Sequence, residues 1–238
     1  MPSRRCEPCF RSASREAAEL KDIVPVVTQT NELIESLAAQ LQPVRRLRAP
    51  LLRAFGWLAT VSAVGLIVIL RYADMLVFSQ RIHVPRIALE CVGSSLTAIA
   101  AVIVAFELSV PGRSARWVWL PVPPVLLWLG ASGLGCLQNG LGTHAAHTGE
   151  SADCFMFIAG VSVPLSVAMF WMLRRACPIA PLPVAAFGTL GVAAAAATLL
   201  QFFHPFGITV LDLAIHLAAV GSVVAVGTAL RRPLLGAQ

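Results

Sequence analysis

Residues that can bind a metal or be oxidised gather around one polar stretch, residues 138–153. His144 and His147 lie within this stretch, Cys136 shortly precedes it, and Cys154 directly follows it. Imidazole and thiolate groups are good ligands for zinc-like metals, and thiols can also be oxidised. Since His-x-x-His matches no strong zinc signature, two interpretations stay open: a metal or redox sensor, or a polar loop with incidental histidines.

A second set of ionisable residues lies within apolar runs. Asp212 and His216 are four residues apart, so they share one face of a helix. Ionisable groups within membrane-spanning helices are costly and usually face the interior of the bundle. We favour a hydrogen-bonded pair that joins two helices over a sensing site shared with His204. We interpret Glu107, near the end of another apolar run, as a solvated carboxylate that can reach Arg113.

Enzyme signatures do not occur in the sequence. There is no P-loop, no glycine-rich dinucleotide turn, no HExxH motif and no nucleophile elbow. The pair Cys6-x-x-Cys9 lacks a second pair or a thioredoxin-like setting. We therefore predict no catalytic site and no bound cofactor, and we retain a transition or heavy metal only as a signal.

The elements that hold these residues are long apolar runs. Hydrophobic residues make up 57% of the 238 residues and charged residues only 13%, whereas a soluble domain carries about a quarter charged residues. Each run is about 20 residues long, which a helix needs to cross about 30 Å of hydrocarbon. The sequence therefore predicts an all-α polytopic membrane bundle, with a sensor domain over residues 54–230. Six transmembrane helices are predicted at residues 54–70, 87–108, 117–137, 154–173, 182–203 and 208–230.

Small residues recur in the third, fifth and sixth predicted spans. Such residues let helices approach closely in lipid, so they predict packing faces within the bundle. The positions are Gly130, Gly133, Gly135, Gly188, Gly191, Ala195, Gly221 and Ala225.

Arginine placement predicts the orientation of the spans, because cytoplasmic loops carry an excess of Lys and Arg. From residue 27 onward, ten arginines fall on the side that contains both termini, and three fall on the opposite side. The ten are Arg45, Arg46, Arg48, Arg53, Arg113, Arg116, Arg174, Arg175, Arg231 and Arg232, and the three are Arg71, Arg81 and Arg86. We therefore expect cytoplasmic N- and C-termini.

An amphipathic helix is predicted over residues 31–47, ahead of the first span. Its apolar face consists of Leu33, Ile34, Leu37 and Leu41, which recur at spacings of three and four. A helix this short is marginal alone in water, so it needs a surface to lie against. The inner leaflet is one option, but Glu32 and Glu35 on the polar face favour a basic protein surface. We therefore expect residues 27–50 to be a partner-binding segment.

Residues 1–26 form a polar leader of mixed charge. Val27 would be a natural first residue if an alternative start codon encoded it. We therefore expect the first 26 residues to be a mis-assigned extension of the reading frame. Sequencing the N-terminus of the native protein tests this expectation, because finding Met1 or Pro2 there would exclude it.

Two stretches of the chain carry a family resemblance. Residues 32–58, ELIESLAAQLQPVRRLRAPLLRAFGWL, lead from the amphipathic segment into the first span. Residues 153–178, DCFMFIAGVSVPLSVAMFWMLRRACP, contain the fourth span and the arginine pair after it. Together with the six-span layout, these stretches resemble the NrsF family (negative regulator of sigma F), anti-sigma factors of the bacterial inner membrane. The resemblance covers residues 28–238.

The resemblance implies that the N-terminal segment holds an extracytoplasmic-function sigma factor at the membrane, with no direct contact to nucleic acid. Heavy metal or oxidant sensed by the membrane part would release it. Family members carry two characteristic cysteines; Cys154 matches the first, whereas His204, before Pro205, stands at the second. The expected sensing pair is therefore Cys154 and His204, which suit soft or borderline metals, with Cys136 as a substitute partner. The alternative function is a small membrane transporter or a metal-handling membrane protein.

Overall fold

A computed structural model describes residues 30–39, 47–138, 148–203 and 210–235. The chain divides into two units, Met1–Arg46 and Leu47–Gln238. In the first unit the described residues form one helix, α1, over residues 30–39. All regular elements in the described ranges are helical, which confirms the predicted all-α class.

The second unit is a bundle of helices joined by short connections. Its helices are α2 (Pro50–Tyr72), α3 (Met75–Ile82), α4 (Pro85–Leu108), α5 (Val122–Gln138), α6 (Thr148–Arg174), α7 (Pro181–Leu200), α8 (Val210–Ala229) and α9 (Arg231–Leu235). A short 3-10 helix, Ala115–Trp119, precedes α5.

Five segments are long and apolar enough to cross a membrane. They are Pro50–Tyr72, Pro85–Leu108, Ala115–Gly135, Cys154–Arg174 and Pro181–Leu200, which correspond to the first five predicted spans. In the described part of α8, Leu213–Ala229 forms a shorter apolar helix. Five of the six predicted spans therefore have the required length, and the sixth stays a prediction.

Prolines and one aspartate determine where several helices begin. Pro50, Pro85 and Pro181 lie in the first turns of α2, α4 and α7, where a missing backbone donor has no cost. Asp74 caps α3, because its side chain accepts bonds from the backbone N–H groups of Leu76 and Val77 at 3.0 and 3.2 Å. The helix α3 was not predicted from the sequence, since it lies between two longer apolar runs.

The centre of the bundle is α7, which packs against α4, α6 and α8. A Cβ added to Gly191 would lie 2.7 Å from Cγ2 of Val102 on α4, so α4 and α7 approach more closely than any larger residue would permit. The predicted packing role of Gly191 is therefore confirmed. In contrast, Gly130, Gly133 and Gly221 have no neighbour within 4 Å of an added Cβ, so the prediction of close packing is wrong at these positions.

The outward surface of α2 is apolar along most of its length. Its exposed large side chains include Leu52, Leu66, Ile67 and Leu70. Only 22% of its most apolar stretch of 18 residues is buried inside the bundle. Such a surface is unfavourable in water and suits contact with lipid tails, which agrees with a membrane location.

Candidate functional site

The apolar face predicted for the N-terminal helix is exposed in α1. Leu33, Ile34 and Leu37 are 58%, 56% and 55% exposed, and their spacing places them on one side of the helix. Leu41 lies outside the described residues. Three large apolar side chains on one side of a ten-residue helix form a surface that suits a complementary protein groove.

Cys154, the first residue of the predicted sensing pair, is buried near the start of α6 and is only 4% exposed. It belongs to an apolar cluster with Ile158, Ala196, Leu200 and Ala219. This cluster joins α6, α7 and α8. A metal ion or an oxidant would therefore reach the thiol of Cys154 only if these helices moved apart or left a path between them.

The structure does not describe the side chains of the other candidate metal ligands. His144, His147 and His204 fall outside the described residues, and the side chains of Cys136 and Asp212 are likewise not described. Within the described ranges, no three His, Cys, Asp or Glu side chains are grouped so that they could hold a metal ion. The metal-binding and sensing roles of these residues stay predictions, as does the pairing of Asp212 with His216.

A cavity of about 190 Å³ lies among α4, α5, α7 and α8. Its polar wall contains Arg86 and Glu90 from the start of α4, and His216 from α8. Arg81 from the end of α3 and Gln201 after α7 also line it. We call this region the cavity end of the bundle. It adjoins the cluster around Cys154, because Leu200 belongs to both.

Arg86 and Glu90 form an ion pair at the cavity end. Nη1 of Arg86 lies 3.5 Å from Oε1 of Glu90, and the two side chains are 16% and 2% exposed. Gly135 on α5 makes this arrangement possible, because an added Cβ would overlap Nη1 of Arg86 and lie 2.9 Å from its Cζ. Gly135 therefore leaves room for a guanidinium rather than for a neighbouring helix.

Arg81 adds a second positive charge to the cavity wall. Partial burial lowers the pKa of its guanidinium, as does the neighbouring Arg86, whereas the Glu90 carboxylate raises it. A guanidinium remains protonated at neutral pH in spite of such effects. The described residues of the cavity thus carry two guanidiniums and one carboxylate, in addition to His216.

The opposite end of the bundle also buries charged groups. A groove of about 540 Å³ lies beside it, lined by Phe170, Arg174 and Leu234 among others, but neither Arg53 nor Glu107 lines this groove. Arg53, near the start of α2, is 9% exposed and donates a hydrogen bond to the carbonyl of Met172. Its guanidinium carbon lies 5.0 Å from the centre of the Phe106 ring, within the range of a cation–π contact. Trp57 packs in the same apolar cluster. We call this region the anchor end.

Glu107 belongs to the anchor end and is only 2% exposed. Its Oε2 lies 3.1 Å from Nε of Arg113, whose side chain is 47% exposed. That oxygen nevertheless has no partner with hydrogen-bond geometry, so the contact is mainly a charge interaction. The predicted contact with Arg113 is thus confirmed, but the interpretation of Glu107 as a solvated carboxylate is wrong, because the end of α4 packs inside the bundle.

Sequence reasoning missed the cavity end, because Arg81 and Arg86 contributed only to the count of positive charges that predicts orientation. One signal was present: Arg86 and Glu90 are four residues apart, a spacing that puts opposite charges on one helix face. The role of Gly135 had no such signal, since its neighbour Arg86 is far away in the sequence.

Comparison with known proteins identifies one family. The family model NrsF, described as negative regulator of sigma F, matches residues 37–236. The matched region covers most of the chain and includes all described helices of the second unit, whereas Leu33 and Ile34 of α1 precede it. No curated protein and no solved structure gives a match.

Proposed function

Because the chain belongs to the NrsF family of negative regulators of sigma F, we propose that it is a membrane-bound anti-sigma factor. It sequesters an extracytoplasmic-function sigma factor at the bacterial inner membrane and releases it on periplasmic metal or oxidative stress. The family match over residues 37–236 is the observation that carries this proposal. The regulatory role requires no catalytic step, so we propose that the chain is not an enzyme.

The sigma factor binds α1. The exposed side chains of Leu33, Ile34 and Leu37 would be buried in a groove of the partner, as in other cases of helix-in-groove recognition. Glu32 and Glu35 lie away from this face and would meet basic groups of the sigma factor, a protein class that binds DNA. The membrane bundle holds the complex away from RNA polymerase.

The bundle crosses the membrane six times, with both termini in the cytoplasm. Five helices have the length that a span requires, and α8 is the sixth. The excess of arginines on the side of the termini supports this orientation. In this orientation the anchor end faces the cytoplasm and the cavity end faces the periplasm, where Cys154 and His204 form the sensing pair.

The experiment that tests the output uses the full-length chain and the sigma factor encoded beside it. Changing Leu33, Ile34 and Leu37 to Asp should abolish co-purification and restore transcription from the dependent promoters, because three charges cannot enter an apolar groove.

The matched control adds the same number of acidic groups to other faces of α1. Asn31→Asp, Ser36→Asp and Ala39→Asp should together leave co-purification largely intact. If the apolar-face variant still silences the promoters while its membrane level is unchanged, α1 is not the binding element.

The sensing pair is tested separately through the response to cadmium and to dichromate. Cys154→Ser should abolish induction of a sigma-dependent reporter, because a hydroxyl neither binds soft metals well nor forms a sulfenic acid. Cys177→Ser is the control, since Cys177 is exposed near the other end of α6. A normal response of the Cys154→Ser variant would remove Cys154 from the mechanism.

A further inference from the structure

We propose that the groove of about 540 Å³ beside the anchor end binds one anionic phospholipid, phosphatidylglycerol, with an acyl chain in the groove and the phosphate beside Arg174. Its described lining residues lie between residues 159 and 174 on α6 and between residues 222 and 230 at α8, and Leu234 of α9 completes the lining. We call it the α6–α8 groove. Lipid binding there goes beyond the proposed function and does not require the sigma factor.

The α6–α8 groove presents apolar side chains to the outside of the bundle. Val163, Val167, Trp171 and Val226 line it and are between 57% and 66% exposed. Besides Arg174, its described lining residues are apolar, glycine or serine. On a helix of membrane-spanning length such a surface meets lipid tails rather than water.

The size of the α6–α8 groove suits one acyl chain. An engineered apolar cavity of about 150 Å³ holds one benzene molecule, so about 540 Å³ corresponds to roughly 20 carbon atoms. The lining on α6 extends over 15 residues, from residue 159 to residue 174, which is about 22 Å along a helix. The hydrocarbon layer of one leaflet is about 15 Å deep. The groove therefore spans the depth of one leaflet.

Positive charge gathers at one end of the α6–α8 groove. Arg174 lines the groove, and the guanidinium carbon of Arg175 lies 3.9 Å from the centre of the Trp171 ring, which also lines it. Among the described residues, no carboxylate forms an ion pair with either arginine. Arg231 directly follows Leu230, a lining residue at the end of α8. Basic pockets between transmembrane helices bind anionic headgroups, and a guanidinium can donate two parallel hydrogen bonds to a phosphate.

The same end of the groove lies at the level of the lipid headgroups. Arg174 is the last residue of α6, and Trp171 is one turn before it. Tryptophan and arginine are both typical of the interface between hydrocarbon and water. Phosphatidylglycerol carries one net negative charge, whereas the ammonium of phosphatidylethanolamine compensates its phosphate. The arginines therefore favour phosphatidylglycerol.

The concave shape of the groove favours a lipid over a second copy of the chain. A two-fold interface places the same surface of both copies face to face. Two facing grooves would enclose empty space, and unfilled apolar space is unfavourable. An acyl chain is flexible and can follow a concave wall.

The test measures lipid binding to the purified full-length chain by native mass spectrometry. The chain is titrated in detergent with phosphatidylglycerol and, separately, with phosphatidylethanolamine of the same acyl chains. We expect one preferred phosphatidylglycerol molecule per chain, bound about 10-fold more tightly than phosphatidylethanolamine. Equal affinity for the two lipids, or no bound lipid, would overturn the proposal.

A charge variant locates the phosphate. Arg174→Gln should weaken binding of phosphatidylglycerol about 10-fold and leave phosphatidylethanolamine unchanged. Arg174 is exposed, so the substitution should not disturb folding. Arg116→Gln is the matched control, because Arg116 is an exposed arginine outside the groove. If the two variants bind phosphatidylglycerol equally well, the phosphate does not lie beside Arg174 and the proposal fails.

A filling variant locates the acyl chain. Val163→Trp keeps every charge and places an indole in the groove, so it should weaken binding of both lipids about 10-fold. Val64→Trp on α2 is its control, since Val64 is 53% exposed and lies outside the groove. Equal lipid binding by the two variants would contradict the location. A dimer that binds no lipid and that Val163→Trp dissociates would make a second copy the occupant and overturn the proposal.

Failure of this inference can be distinguished from failure of the proposed function. Co-purification of the sigma factor with the same chain is measured separately. A chain that holds the sigma factor but binds no phosphatidylglycerol contradicts only the groove site. A chain that binds phosphatidylglycerol and holds no sigma factor contradicts the anti-sigma role and leaves the lipid site standing.

Discussion

At the cavity end, the described lining residues include two guanidiniums and one carboxylate beside a space of about 190 Å³. At the anchor end, Arg53 and Glu107 are buried and line neither this cavity nor the groove of about 540 Å³ beside Phe170 and Leu234. Both regions bury charge in a membrane bundle, where charge is costly. Among the described residues, the charged groups of the cavity end therefore border open space, whereas Arg53 and Glu107 contact other protein groups.

The helix α4 passes through both regions. Glu90 lies near its start and Glu107 near its end, 17 residues apart, which corresponds to about 25 Å along a helix. Gly93 and Gly191 bring α5 and α7 into close contact with α4 between these points. The cavity end and the anchor end are therefore joined by one closely packed helix.

The largest expected effect concerns the contact between α4 and α5 near the cavity. In Gly93→Ala the new Cβ would lie 2.8 Å from the backbone nitrogen of Trp128 and 2.9 Å from its Cα. Since backbone atoms cannot move aside, the helices must separate, and we expect the free energy of unfolding to fall by about 2–3 kcal/mol. Unfolding of the detergent-solubilised protein by increasing SDS measures this change.

The control for Gly93→Ala is Gly130→Ala on α5, where an added Cβ meets nothing within 4 Å. It should change stability by less than about 0.5 kcal/mol. Equal destabilisation by the two substitutions would show that the loss comes from the helix backbone rather than from the contact. The cavity end would then lack a rigid wall, and the contrast between the two ends would weaken.

An intermediate effect is expected at the anchor end. Arg113→Met leaves the carboxylate of Glu107 buried without a compensating charge. Loss of one partner from a fully buried pair costs about 3–5 kcal/mol, and because half of Arg113 is exposed we expect about 2 kcal/mol. Adding Glu107→Leu should recover about half of this loss, and SDS unfolding compares the single and double variants.

Arg116→Met provides the reference for the anchor end, because Arg116 is exposed and close in sequence to Arg113. Its effect should stay within about 0.5 kcal/mol. If the double variant is as unstable as Arg113→Met alone, the buried charge of Glu107 is not the source of the loss. The two ends would then not differ in how strictly they require paired charges.

The smallest effect concerns Cys154, in the cluster beside the cavity. Cys154→Ser replaces a weakly polar thiol with a hydroxyl among Ile158, Leu200 and Ala219, and we expect a loss of about 1 kcal/mol. Cys177→Ser should be neutral within about 0.5 kcal/mol, because Cys177 is exposed. Equal effects of the two substitutions in SDS unfolding would show that the Cys154 cluster is as loosely packed as the surface.

Sequence patterns predicted the membrane helices because length and hydropathy are local properties. The structure begins the second span at Pro85 and ends it at Leu108, close to the predicted residues 87–108. The helix of the fifth predicted span, α7, ends at Leu200 rather than at residue 203, and a turn begins at Gln201. The exposed face of α1 was predictable for the same reason, since the positions of Leu33 and Leu37 follow from helix geometry alone.

The contacts between helices at both ends could not be predicted, because they join residues that are distant in the sequence, unlike the ion pairs Arg86–Glu90 and Glu107–Arg113. Gly135 resembles the other small residues of the third span, yet it makes room for Arg86, while a Cβ added to Gly130 or Gly133 would meet nothing within 4 Å. Glu107 looked like a solvated helix end, but packing of α4 among its neighbours buries it. The burial of Cys154 depends in the same way on residues from α7 and α8.

The amino-acid sequence by itself determined that this is an all-helical protein of membrane-spanning length with an amphipathic N-terminal segment. It did so because apolar runs and helical periodicity act within a few turns of the chain. Only the tertiary structure decided where charge is enclosed, where space remains and which glycine faces an arginine. These properties arise when helices far apart in the sequence pack side by side, and that arrangement enclosed Arg53 and Glu107 at one end of the bundle and left the charged groups of the other end beside a cavity.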